Sequence, residues 1–158
     1  MASFDTETFL VDSTDSTDLV DVLVEVAGSP GSWVNVEPDV DESLRADVPG
    51  LFAWFSARGS QVPVATFVAG SARDVPSVGL DHNTGRGAGD RLRDAGVVAP
   101  DGWSLRQDNP KRGLIWESGS LDVPTGPSLA VFLMEATALF CSLPTEGRFR
   151  VSVHTPRN

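Results

Sequence analysis

The residue types capable of chemistry gather in residues 82–90, His82-Asn83-Thr84-Gly85-Arg86-Gly87-Ala88-Gly89-Asp90. Three glycines alternate there just ahead of a helical pattern. Backbone N–H groups at a positive helix end, with Arg86 and Arg91 close in sequence, make a candidate cradle for an anion. The ligand-binding candidates are therefore His82, Gly85, Arg86, Gly87 and Arg91. The spacing is G-x-G-x-G, which is neither the G-x-G-x-x-G of a dinucleotide fold nor the lysine-bearing phosphate loop. Glycine used simply as flexible chain before a helix accounts for the same residues. His82 beside Asp81 has the chemistry of a general base pair, with Glu117, Asp108 and His154 as distant partners, but no spacing supports it. With two histidines in the chain and no Ser or Cys nucleophile motif, a surface or capping histidine is the reading. No catalytic residue, metal ligand or cofactor is assigned. Asp39, Asp41 and Glu42 sit in an acidic loop that lacks the glycine and the distal glutamate of a calcium-binding EF-hand.

The element around which the chain is organised is PSLAVFLMEATALFCSL, residues 127–143. At 100° per residue, Leu129, Phe132, Leu133, Ala136, Leu139, Phe140 and Leu143 fall on one broad face, the pattern of a helix laid on a core. The back carries Ala130, Val131, Met134, Ala138 and Cys141, and only Ser128, Glu135 and Ser142 form a polar stripe. Something must cover that back: residues 4–11, or a second copy in a homodimer, with Ala130, Met134, Ala138 and Cys141 as the candidate interface. Pro127 suits the first helical turn and Pro144 stops the far end. The segment is short for a bilayer and carries Glu135, so it reads as a soluble helix.

The 158 residues, 41% of them hydrophobic, are enough for one domain with a core of its own and no disulfide. The single Cys141 reads as a small buried hydrophobe. The N-terminus has no basic stretch followed by an apolar one, so the cytoplasm is the expected compartment. Charge is uneven: residues 1–50 hold 12 acids against Arg45, whereas residues 51–158 hold 11 bases against 10 acids. A net charge of −10 argues against nucleic acid as partner. It fits either simple solubility or an acidic face that docks on a basic protein.

The pattern along the chain predicts an edge strand or acidic arm within residues 1–18 and a helix over 19–27, the latter in competition with a strand because valines alternate there. Strands follow at 33–37, 51–57 and 62–69, the last two as a hairpin. A connection at 71–84 leads to a helix over 86–95. A second hairpin pairs 103–107 with 113–117, the 127–143 helix comes next, and a closing strand spans 149–154. Trp54, Trp103 and Trp116 fall on strands and read as core residues of one sheet face. Arg106, Lys111 and Arg112 on the second hairpin form a small basic patch that could complement the acidic N-terminal segment. The expectation is an α+β fold, an antiparallel sheet covered by two to three helices in the order α-β-β-β-α-β-β-α with extra terminal strands.

That order, with its apolar last helix, resembles the type III secretion chaperone-like superfamily. The resemblance implies a curved sheet carrying helices, a homodimer with Ala130, Met134, Ala138 and Cys141 among its contacts, and a surface that binds an extended protein segment. The expected function is a non-catalytic protein-binding module, chaperone-like, adaptor or immunity-type, with a protein partner and no membrane. The alternative is a small anionic ligand-binding protein or an enzyme using residues 82–90.

Overall fold

Where β-branched and aromatic residues alternate with polar ones the chain forms strands, and where apolar residues recur every three to four positions it forms helices. A computed structural model describes residues 2–41, 43, 62–119 and 126–157. In chain order these are β1 (Phe4–Asp12), α1 (Thr17–Ala27), β2 (Trp33–Pro38), β3 (Val64–Val68), β4 (Ser77–Asp81), α2 (Ala88–Asp94), β5 (Trp103–Asn109), β6 (Gly113–Ser118), α3 (Pro127–Phe140) and β7 (Arg148–Pro156). The fold is α+β, as the sequence pattern predicts. Among the described residues the strands make one antiparallel seven-stranded sheet in the order β1-β7-β2-β3-β4-β6-β5.

Residues 19–27 are helical rather than extended. Leu19, Leu23 and Val26 are the buried side of α1, and Asp15 Oδ1 accepts the Thr17 N–H at 3.1 Å just ahead of it. That stripe buries three large side chains on one side of the element, against α3 and the sheet, whereas an alternating valine strand would have split them between two faces. Residues 71–84, expected as a connection, contain β4, which pairs with β3 and β6. Its pattern is short, with Gly79 in the middle, so it gives little strand signal. Of the expected hairpin at 51–57 and 62–69, the first strand, with Trp54, lies outside the described residues. The second is β3, seated between β2 and β4.

All three helices bury their apolar sides in one cluster with the inward residues Val34, Val36, Phe67, Val78, Leu80, Leu114 and Val151. They therefore lie on one side of the sheet. α3 is embedded almost all round: Leu129, Ala130, Phe132, Leu133, Met134, Ala136, Thr137 and Phe140 are buried. Ala130 and Met134, expected at a dimer contact, are 0% and 4% exposed within the single chain. Within the single chain Ala130 and Met134 are covered by the chain's own fold and not by residues 4–11, α1 being a helix packed on α3. Only Ala138, exposed, and Cys141, half-buried, remain at the surface from that set of four. The N-terminal strand instead pairs with β7 along its whole length, from Phe4↔Pro156 to Asp12↔Arg148.

This placement also settles the charge. β1 and β5 are opposite edges of the sheet, so the basic residues Arg106, Lys111 and Arg112 do not neutralise the acidic N-terminal strand. Among the described residues the cations that pair with acids of the first 50 residues are on β7 and just past it. Arg148 and Arg150 both reach Asp39 at 3.4 Å, Arg150 stands 3.9 Å from Glu37, and Arg157 pairs with Asp5. Asp39 is thus held by two guanidinium groups.

Candidate functional site

Residues 82–90 run from the end of β4 into α2, and the structure closes the site that the sequence outlines. His82 is 1% exposed. Its ring lies 5.1 Å from that of Phe140, the last residue of α3, and the Arg91 guanidinium stands over the same Phe140 ring at 5.4 Å. The Thr84 N–H donates to His82 Nδ1 at 3.3 Å, with Thr84 Oγ1 at 3.0 Å from the same nitrogen. An accepting Nδ1 places the ring proton on Nε2, which is buried and has no hydrogen-bond partner. Burial holds the imidazole below its ordinary pKa. The negative charges of Asp108 and Asp81 pull the other way, and Arg91 adds to the lowering. A general base needs a free lone pair within reach of substrate; the one lone pair here is occupied and the ring is sealed.

The start of α2 is equally committed. Gly89 N–H, one of the donors expected to face an anion, donates to Asp108 Oδ2 of β5 at 3.1 Å. A carboxylate of the chain itself therefore sits where a bound anion would. Gly87 takes a positive φ of 78° at the N-cap, the left-handed turn that lets the chain swing into the helix. Space is open around Gly85 and Gly87. The structure thus brings both His82 and Arg91 against Phe140, and the remaining candidates lie in the loop between them.

The tryptophans divide between faces. Trp116 and Trp103 point inward, Trp116 edge-on to Phe132 at 5.2 Å and Trp103 edge-on to Phe67 at 6.3 Å. Trp33 points to the other face, where the β2–β7 register sets it against His154. Their rings stack at 4.7 Å, and Phe4 meets Trp33 edge-on at 4.7 Å. Thr66 Oγ1–H donates to Asn35 Oδ1 at 2.7 Å, which turns the Asn35 amide nitrogen toward His154 Nε2 at 3.4 Å, while His154 Nδ1 lies 2.9 Å from Thr6 Oγ1. This polar and aromatic cluster joins four strands, and sequence reasoning missed it. Its members are far apart in the chain, and only alternation within each strand marks them.

At the β5 edge a groove of about 260 Å³ opens between the inner face of the sheet and the helices. Leu92, Val98, Trp103, Leu105, Trp116 and Phe132 line it. No group of three or more metal-ligating side chains occurs among the described residues, and none of the described helices is long and apolar enough to cross a membrane. Comparison with protein-family models, with curated proteins and with solved structures gives no match.

Proposed function

We propose that the protein is a non-catalytic protein-binding module, chaperone-like, adaptor or immunity-type in role, acting in the cytoplasm on a protein partner. The observation that carries this reading is the one-sided architecture. All the described helices bury their apolar sides on one face of the sheet, which leaves the polar and aromatic face around Trp33 and His154 and the two edge strands as broad surface. Surface of that kind suits a macromolecular partner better than a small substrate, which needs a concave site with converging polar groups. The sealed His82 and the self-capped start of α2 weigh on the same side. The order of the described elements from α1 to α3 resembles that of the type III secretion chaperone-like superfamily, a likeness of fold that accords with a role in holding another polypeptide without fixing it.

Affinity capture from the native cell tests the reading. A stoichiometric protein partner is the expected result. A nucleotide or metal ion that co-purifies without protein would favour a small-ligand site built on residues 82–90. Sedimentation of the purified chain reports the homodimer separately, since its contact is reduced to the exposed stripe of α3 around Val131 and Ala138.

A further inference from the structure

The outer edge of β5 and the groove beside it form a single surface. β5 is the last strand of the sheet among the described residues. Its inward side chains Trp103 and Leu105 make one wall of the groove, with Leu92, Val98 and Phe132 opposite. Val98 is 70% and Leu105 44% exposed, so two large apolar side chains stand in water at the groove mouth. The Trp103 indole Nε1–H is buried without an acceptor. On the other face Arg106 is paired with Glu117 at 3.5 Å, with both side chains exposed, and Lys111 and Arg112 in the following turn leave this end of the sheet net positive. The one acid of the strand, Asp108, is engaged by the Gly89 N–H.

An open strand edge presents N–H and C=O groups in a row, and only another extended chain satisfies them in register. Side chains of an added strand would alternate between the two sides. Those on the inner side fall over the groove; those on the outer side meet Arg106. We propose that the β5 edge takes up an extended segment of a partner protein in which apolar residues alternate with acidic ones, the apolar side chains filling the groove between α2 and β5. This deepens the protein-binding reading and rests on it. The partner is not a second copy through the same edge. Self-pairing of β5 about Arg106 would bring two Arg106 side chains together, a like-charge contact that an acidic partner strand avoids.

The test uses the full chain and a blocked ten-residue peptide of alternating Val and Glu, with an alternating Val and Lys peptide as comparison. Amide hydrogen exchange should show added protection at residues 104–108 with the Val–Glu peptide, accompanied by a change in tryptophan fluorescence. Arg106→Glu should weaken that binding about tenfold and shift preference to the Val–Lys peptide, and Val98→Asp should weaken it by a similar factor. Both positions are exposed, so these variants keep the fold. Protection at β1 instead of β5, equal binding of the two peptides, or unchanged affinity in Arg106→Glu would overturn the proposal. So would concentration-dependent protection of β5 without peptide, which assigns the edge to a second copy. If Val98→Asp captures the same native partner as the wild type while neither peptide binds, the β5 site falls and the protein-binding reading stands. If the Val–Glu peptide binds at β5 but capture returns no protein, the site stands and the wider reading falls.

Discussion

At Gly113 the backbone leaves no room for a side chain. Its φ is +81°, and a Cβ there would collide with the carbonyl oxygen of Leu80 on the neighbouring strand. Gly87 has a similar φ but open space around it. Gly87→Ala should therefore cost only the left-handed strain, about 1 kcal/mol. Gly113→Ala should cost roughly 3 kcal/mol or more, because β4 and β6 must also separate. Urea unfolding of the two variants checks the order, and equal losses would contradict the packing at Leu80. His82 makes a second prediction at this scale. Its pKa in the folded chain lies below the ordinary value near 6.5, so the unfolded chain binds the proton more readily. Stability is then complete above about pH 7 and falls as pH drops through 6.5 toward the lower folded value. Asp81 and Asp108 oppose this and Arg91 reinforces it. The unfolding midpoint should fall between pH 7.5 and 5.5 in the wild type, and His82→Leu should remove most of that slope whatever its absolute stability. An unchanged slope would mean that the imidazole is not the group responsible.

Among the elements, α3 shows how far the sequence could be read. Its residues and its central position were legible from periodicity and from Pro127, because a long apolar run has few other places to go. Which side faced a partner was not legible, since a helix apolar on both sides reads the same whether its back meets α1 or another chain. The same limit applies to the site. The loop at residues 82–90 was visible as glycine and arginine, but its donor was claimed by Asp108, a residue 19 positions away on β5, and no local pattern shows that. β4 was hidden because Gly79 and short length weaken its alternation. The burial of α3 gives a direct check. Ala130→Arg and Met134→Arg place a charge inside the core and should each lower stability by on the order of 4 kcal/mol or more, a large share of what a domain of this size has. Ala138→Arg, on the exposed stripe, should shift stability by less than about 0.5 kcal/mol. If Ala138→Arg unfolds the protein, the described face of α3 is wrong. Truncating Phe132, buried edge-on to Trp116, should cost about 3–5 kcal/mol, and truncating the half-buried Leu139 clearly less.

For the whole molecule, the distribution of charge along the chain becomes a distribution in space. The acids of β1 and α1 lie towards one edge of the sheet, where Arg157 pairs with Asp5, while Arg148 pairs with Asp39 after β2 and with its near neighbour Glu146. On α1, Asp18, Asp21 and Glu25 have no base in the last turn of the helix, and Asp21 and Glu25 are four apart, where like charges repel. Two opposing effects therefore depend on salt. Screening weakens the ion pairs of β7, but only partly, because their carboxylates Asp39 and Glu37 are mostly buried. It also relieves repulsion within a chain of net charge −10, and that repulsion is spread over many more charges than the few pairs can offset. The second effect should win. Raising sodium chloride from 20 mM to 500 mM at pH 7.5 should increase the midpoint of thermal unfolding by a few degrees, and Asp21→Lys should reduce the gain by removing one of the repelling charges. A midpoint that falls with salt would show that the Arg148 and Arg150 pairs with Asp39 and Glu37 hold the β2–β7 junction more strongly than the acidic edge pushes it apart.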